Sequence, residues 1–192
     1  MEKSLKLFFL VLFFTGCGMR SIPMALNDVD ANWAEVQNQY QRRADLVPNL
    51  VEVVKGYAAH EKETLEGVVN ARAKATSITL TADKLNETNL KQFSQAQGEL
   101  TQALSKLMMI TEHYPDLKAN QNFMDLSHQL EGTENRITVA RNRYIDAVKT
   151  FNNLVTAPPE SWYNSLFLHH EKKAQFAVEN FEEIKAAPKV KF

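Results

Sequence analysis

Cysteine is almost missing from this sequence: Cys17 is the single one in 192 residues, so no internal disulfide can form and no thiolate cluster can hold a structural metal. Glycine and proline are also scarce, six of each. So little turn punctuation suits long helices better than many short strands. Neither charge predominates, since 22 Lys and Arg face 23 Asp and Glu for a net of −1. That balance removes the electrostatic argument for nucleic-acid binding. Long apolar runs are absent too. The longest, Leu7 to Phe14, would reach only about 12 Å as a helix against a hydrocarbon core of ~30 Å, so it cannot span a bilayer as it stands. What remains is 44% hydrophobic and 23% charged, the make-up of an ordinary globular chain with one domain, at most two.

The apolar run is preceded by Lys3 and Lys6 and followed by Thr15, Gly16 and Cys17. This is the order of a basic n-region, an apolar h-region and a small-residue cleavage site, and it assigns residues 1–16 to an export signal. Phe14-Thr15-Gly16-Cys17 resembles the bacterial lipobox, in which the thiol accepts lipid and the chain is cut before the cysteine; Phe14 stands where leucine is usual. The resemblance implies lipidation of Cys17 with palmitate-type acyl chains, and two or more such chains hold a protein stably on a membrane. It implies an extracytoplasmic position on the periplasmic face. Gly18 in place of an aspartate slightly favours the outer membrane in a Gram-negative cell. Residues 17–27, with Ile22-Pro23, are then expected to form a lipidated tether.

Further along, apolar residues recur with helical spacing. Val29, Trp33, Val36 and Tyr40 form one stripe, and Val47, Leu50, Val54 and Tyr57, continuing to Leu65 and Val68, form a second. Leu90, Phe93, Leu100, Leu104 and Leu107 make a third, and Phe123, Leu126, Leu130, Thr133, Ile137, Ala140, Tyr144, Ala147, Phe151 and Leu154 make the longest. Gaps of three and four place each set on one helix face and favour knobs-into-holes packing. Four such faces joined by short connections predict an all-α, antiparallel up-and-down four-helix bundle over residues 28–157. The first break is expected at Arg42 to Pro48, where Asp45 can cap the next helix and Pro48 can sit in its first turn; a continuous helix kinked at Pro48 is the competing arrangement. Ser77 to Asn86 and Tyr114 to Leu117 read as connections, and Ala157-Pro158-Pro159 as a stop. In residues 158–192, Trp162, Leu166, Phe167, Phe176 and Phe181 are expected in a short helical extension packed on the bundle. Its glutamates, Glu171, Glu179, Glu182 and Glu183, argue against contact with anionic lipid.

No catalytic constellation is visible. His60-Glu61-Lys62-Glu63-Thr64 starts like a zinc-protease motif but has Thr64 where the second histidine is needed. Asp125 and His128 form one i, i+3 pair where a di-iron bundle uses two Glu-x-x-His pairs. No cofactor and no metal are expected. The informative polar residues lie on or beside the stripes: Arg42, Arg43, Asp45, Asn49, His60, Glu61, Arg72, Glu134, Arg136 and Arg141. They are candidates either for ion pairs that fix helix register or for contacts with a partner. Gly56, Gly67, Gly98 and Gly132 fall inside helices at a cost of ~1 kcal/mol each against alanine, which close approach between helices would justify.

Arg42-Arg43-Ala44-Asp45-Leu46-Val47-Pro48-Asn49-Leu50-Val51, with Val54-Lys55-Gly56-Tyr57-Ala58-Ala59-His60-Glu61 and Ala71-Arg72, resembles the hallmark stretch of the LemA (MamQ/LemA) family. Tyr114-Pro115-Asp116-Leu117-Lys118-Ala119-Asn120, Glu134-Asn135-Arg136-Ile137, Ala140-Arg141 and Tyr144, and the closing Ala187-Pro188-Lys189-Val190, are similar to its later parts. The resemblance implies a membrane-anchored antiparallel bundle of the bromodomain-like arrangement. It implies no catalytic residues, and roles in envelope organisation, magnetosome membranes or signalling. Family members usually carry a full N-terminal membrane helix, and this chain departs from them with its lipobox. The expectation is a non-catalytic interaction or scaffold module of the bacterial envelope, held on a membrane through Cys17, with a protein partner or a second copy of itself and no nucleic acid. Rival readings are a metal-dependent or hydrolytic enzyme with its site in the bundle core, and a structural protein that shapes the bilayer.

Overall fold

The computed structural model describes the backbone of residues 2–176 and the side chains of residues 20–176. Cys17, the apolar run 7–14, Phe181 and the closing residues 187–190 therefore lie outside the described side chains.

The described residues are all helical in their regular structure, with no strand. Six α-helices follow one another: α1 (Glu2–Tyr57), α2 (Lys62–Ser77), α3 (Glu87–Thr111), α4 (Pro115–Lys118), α5 (Gln121–Thr156) and α6 (Glu160–Tyr163). A 3₁₀ turn, Ala82–Lys84, interrupts the connection between α2 and α3, and a π-helical turn, Asn164–Leu168, continues α6. Asn86 caps α3 by accepting a 2.8 Å hydrogen bond from the Asn89 amide, and Asn120 caps α5 through the Phe123 amide at 3.1 Å. Pro115 sits at the start of α4, where the absent N–H has no helical acceptor to miss.

The expected break between Arg42 and Pro48 does not occur. α1 runs through both Pro23 and Pro48, and the chain first turns at 58–61, one turn before α2. The second stripe is thus divided, with Val47, Leu50 and Val54 on α1 and Leu65 and Val68 on α2. Asp45 caps nothing; its carboxylate accepts a hydrogen bond from Gln41 Nε2 at 2.7 Å within the helix. Continuity through Pro48 has a local cause. A proline cannot donate to the carbonyl four residues back, here that of Ala44, and Arg72 on α2 supplies the missing donor, its Nε lying 2.7 Å from Ala44 O. Residues 20–27 are likewise helix, and Ile22 and Ala25 are buried, so the core begins inside the stretch expected as a tether.

α1 and α5 form the long antiparallel pair. Arg43 meets Glu134 and Tyr57 meets Asn120, and the same register brings Ile22 level with Val155. α2 returns along α1, with Arg72 at Ala44, and α3 returns along α2, with Gln97 Nε2 3.2 Å from Ala75 O and Lys74 2.7 Å from Glu99. Buried side chains gather into two clusters. One joins Ile22, Val29, Trp33, Val36 and Tyr40 of α1 to Phe93 of α3 and to Tyr144, Val148, Phe151 and Val155 of α5. The other joins Val47, Leu50 and Val54 of α1 to Leu65, Val68, Leu100, Leu104, Leu107, Leu117, Phe123 and Leu130. Beyond Tyr144 the buried face of α5 shifts by one residue from that expected, to Val148 and Val155, leaving Ala147 and Leu154 partly buried at its edge. A straight helix of 3.6 residues per turn drifts in this way against a seven-residue repeat.

After α6 the chain lies back along α5. Asn152 pairs both its amide groups with the backbone of Lys173, at 2.8 and 3.0 Å, and the Tyr144 hydroxyl donates to Ala174 O at 2.9 Å. Phe176 is buried against Trp33 and Tyr144. Trp162, Leu166 and Phe167 differ from expectation: instead of packing on the helices, each is about two-thirds exposed. Close helix approach does not explain the glycines either, since a Cβ at Gly56, Gly67 or Gly98 would meet nothing within 4 Å, and at Gly132 only the end of the Arg136 side chain at 3.7 Å.

Candidate functional site

The hallmark stretch of α1 places its polar residues in two opposite settings. Arg43 occupies a seam position, three after Tyr40 and four before Val47, and is 1% exposed. Its Nη1 donates to Thr101 Oγ1 and Glu134 Oε1, both at 2.8 Å, and its Nη2 donates to Gln97 Oε1 at 2.6 Å and Gln97 O at 3.2 Å. One guanidinium therefore ties α1 to both α3 and α5, and Gln97 passes the connection to α2 through Ala75 O. Its Nε has no hydrogen-bond partner, and its charge lies 5.1 Å from the centre of the Tyr40 ring. Burial pushes the Tyr40 phenol above its ordinary 10.0, against the opposing pull of Arg141 and Arg43. Arg43, Gln97 and Tyr40 are buried while Thr101 and Glu134 reach solvent, so the charged arginine is held by neutral acceptors and one carboxylate.

Arg42, Asp45 and Asn49 face the other way. Spaced by three and four, they share one side of α1, and all three are exposed. Arg42 and Asn49 make no side-chain hydrogen bond or ion pair among the described residues. Beside this stripe, Gln37, Asn38, Gln41, Ala44, Thr76, Thr79 and Gln97 line an open cleft of about 230 Å³, walled by Tyr40 and Phe93. Its lining holds amides, hydroxyls and rings and no charged group.

The other candidates are dispersed. Glu61 lies in the α1–α2 turn and accepts the Tyr114 hydroxyl at 3.1 Å, while Tyr57 accepts from Asn120 Nδ2 at 3.0 Å. These two bonds clasp that turn to the α3–α5 connection. The Glu61 carboxylate raises the Tyr114 phenol above its usual value, chiefly through that hydrogen bond. His60 is exposed beside them. Arg72 is committed to Ala44 O. Arg136 is exposed and reaches Thr133 Oγ1 at 3.2 Å on its own helix. Arg141 stacks over Phe176 at 4.5 Å. Glu134 belongs to the Arg43 layer. Asp125 accepts from Gln121 Nε2 at 2.8 Å, and neither it nor His128 joins a larger group. Among the described residues no three His, Cys, Asp or Glu side chains gather closely enough to hold a metal ion. No described helix is long and apolar enough to cross a membrane.

Sequence reasoning missed Gln97 and Thr101, the acceptors that make an arginine tolerable in the seam, and Trp33 as a polar contact. The Trp33 indole donates to Leu80 O at 2.8 Å, alongside Gln37 Nε2 at 2.9 Å. Gln97 carried a signal, since it sits in the third stripe between Phe93 and Leu100 where an apolar residue is expected. Leu80 carried none, because its role is played by its backbone oxygen.

Comparison with known proteins agrees with the sequence resemblance. The LemA family model matches residues 32–192. A curated relative, Protein LemA of Metamycoplasma hominis, is 25% identical over 130 residues, covering 67% of this chain and 55% of its own length. Magnetosome protein MamQ 2 and magnetosome protein MamQ 1 of Paramagnetospirillum magneticum are each 25% identical over 169 residues, covering 79% of this chain and 61% of theirs. The chain thus spans a little over half the length of the curated relatives it matches.

Proposed function

Because this chain belongs to the LemA family, we propose that it is a non-catalytic, membrane-tethered helical scaffold of the bacterial envelope, whose partner is read by the exposed face of α1 at Arg42, Asp45 and Asn49. The observation that carries this reading is the division of the hallmark stretch. Arg43, Ala44, Val47 and Leu50 are committed to the interior, while their immediate neighbours stand in solvent, free of bonds to other helices. A buried arginine with four hydrogen bonds holds that face in one position, which lowers the cost of ordering it on a partner. The antiparallel course of α1, α2, α3 and α5 supports a four-helix bundle of the bromodomain-like arrangement as the scaffold. Its tether is the acylated thiol of Cys17, with the body on the extracytoplasmic side.

Photocrosslinkers placed at Arg42 and Asn49 in the full chain, activated in intact membranes, are expected to capture one defined protein. Arg42→Glu with Asp45→Lys should abolish that capture while leaving the helical circular dichroism unchanged. Capture that survives both charge reversals overturns the face as the partner site. Mass spectrometry of the membrane-fraction protein tests the tether separately: an acylated Cys17 at the mature N-terminus is expected, and an intact leader on the mature protein overturns it.

A further inference from the structure

The turn after α6 is built inside out. Its polar residue, Asn164, is buried, and both ends of that amide are satisfied by the backbone of His170, with Oδ1 accepting from the amide at 3.0 Å and Nδ2 donating to the carbonyl at 2.9 Å. Leu166 and Phe167 in the same turn are 70% and 66% exposed, and Trp162 one turn earlier is 66% exposed. Tyr163 and Phe167 stack at 4.9 Å between ring centres. A soluble surface does not ordinarily brace a turn so as to present a tryptophan, a leucine and a phenylalanine together.

The position of this turn identifies what it meets. α6 packs against α1 and α5 and directly follows the end of α5, which the antiparallel register places level with Ile22 of α1. Five residue steps lead from Cys17, the tethered residue, to Ile22, and a chain of that length reaches at most about 18 Å. The membrane-directed end of the sequence and the exposed aromatic turn therefore belong to the same end of the molecule. The chain beyond the turn leaves that end, touching Asn152, then Tyr144, then Arg141 as it runs back along α5. Phe176, the last residue described, thus lies about 20 Å of helix away from that end. Tryptophan favours the headgroup level of a bilayer, where an apolar ring and a polar surrounding meet, and leucine and phenylalanine are the side chains that an interfacial segment buries beside it.

We propose that Glu160–Leu168 is an interfacial foot that inserts Trp162, Leu166 and Phe167 into the lipid surface to which the N-terminus is tethered. This rests on the tethering described above. It gives the anchored body a second point of contact, so that the long axis has a set orientation and not a free swivel about a lipidated residue. The foot adds apolar area, not charge, to the membrane contact, and salt should therefore not weaken it.

The chain carries two tryptophans, and Trp33 is only 1% exposed, so fluorescence isolates Trp162. The full-length protein purified from membranes is reconstituted into phosphatidylcholine–phosphatidylglycerol vesicles whose acyl chains are brominated near the glycerol. Expected are flotation with the vesicles, a shift of the exposed-tryptophan emission to shorter wavelength, and loss of that component by bromine quenching. Trp162→Phe should lack the quenched component, and Leu166→Asp with Phe167→Asp should float yet escape quenching. Protein that floats with Trp162 emission unshifted and unquenched overturns the foot and leaves the tether standing. An emission that is shifted but unquenched also overturns it, in favour of cover by a second copy or by residues 177–192. Protein that fails to float overturns the tether, and the foot with it.

Discussion

Pro48 removes one donor from the middle of α1, and Arg72 replaces it from another helix. The exchange makes two substitutions interdependent. Arg72→Met alone should leave the Ala44 carbonyl without a partner and cost about 1–2 kcal/mol. With Pro48→Ala already present, an intrahelical N–H reaches that carbonyl, and the same Arg72→Met change should cost about 1 kcal/mol less. Urea denaturation of the two single variants and the double variant measures the coupling. Equal costs in both backgrounds would show that Arg72 stabilises by some other route. Arg43, by contrast, is coupled to several acceptors at once, and no single compensating change is expected to restore it.

At the scale of elements, the sequence revealed which faces are buried better than it revealed where helices end. The stripes of α3 and α5, the connection at 77–86, the α4 turn with its Pro115 and the stop at Ala157 are all legible as periodicity and turn chemistry. The expected break between Arg42 and Pro48 failed because Asp45 followed three residues later by Pro48 looks like the capped start of a new helix. The heptad phase nevertheless runs from Tyr40 through Arg43 to Val47 without interruption, and phase was the better guide. Partners such as Gln97, Thr101 and Ala44 O are supplied by other helices, and no local pattern announces them. The exposed turn after α6 misled for a similar reason: aromatic residues suggest burial, and only their geometry shows otherwise. The glycines give this scale its test. Gly67 and Gly98 lie inside α2 and α3 with room for a methyl group, so Gly67→Ala and Gly98→Ala should each stabilise by about 0.5–1 kcal/mol. In thermal unfolding each should raise the midpoint by about 1–4 °C. A lower midpoint would mean that the helices approach more closely there than the open space implies.

For the whole molecule, stability should fall on the alkaline side, with Tyr144 the largest contributor beside Tyr40 and Tyr114. Burial pushes the Tyr144 phenol up to about 12 from 10.0, with the Asp30 charge adding to the effect. Between those values the unfolded chain releases a proton that the folded chain keeps. Unfolding then becomes more favourable as pH rises, and the contribution, complete below 10, is lost by about 12. Tyr144→Phe should flatten the alkaline slope of a denaturation series. It should also free the carbonyl of Ala174, so that the backbone amides near Lys173 exchange faster with solvent. An unchanged slope would assign the alkaline loss to other groups.

A single helix without a joint runs from Ile22, beside the aromatic turn, to Tyr57, beside the clasp with Asn120. Thirty-five residue steps at 1.5 Å each hold those two places roughly 50 Å apart. The clasp is thus carried at a fixed height above whatever surface the aromatic end rests on, with Arg42, Asp45 and Asn49 partway up. The protein is proportioned as a stanchion, whose reach is set by the length of one rod.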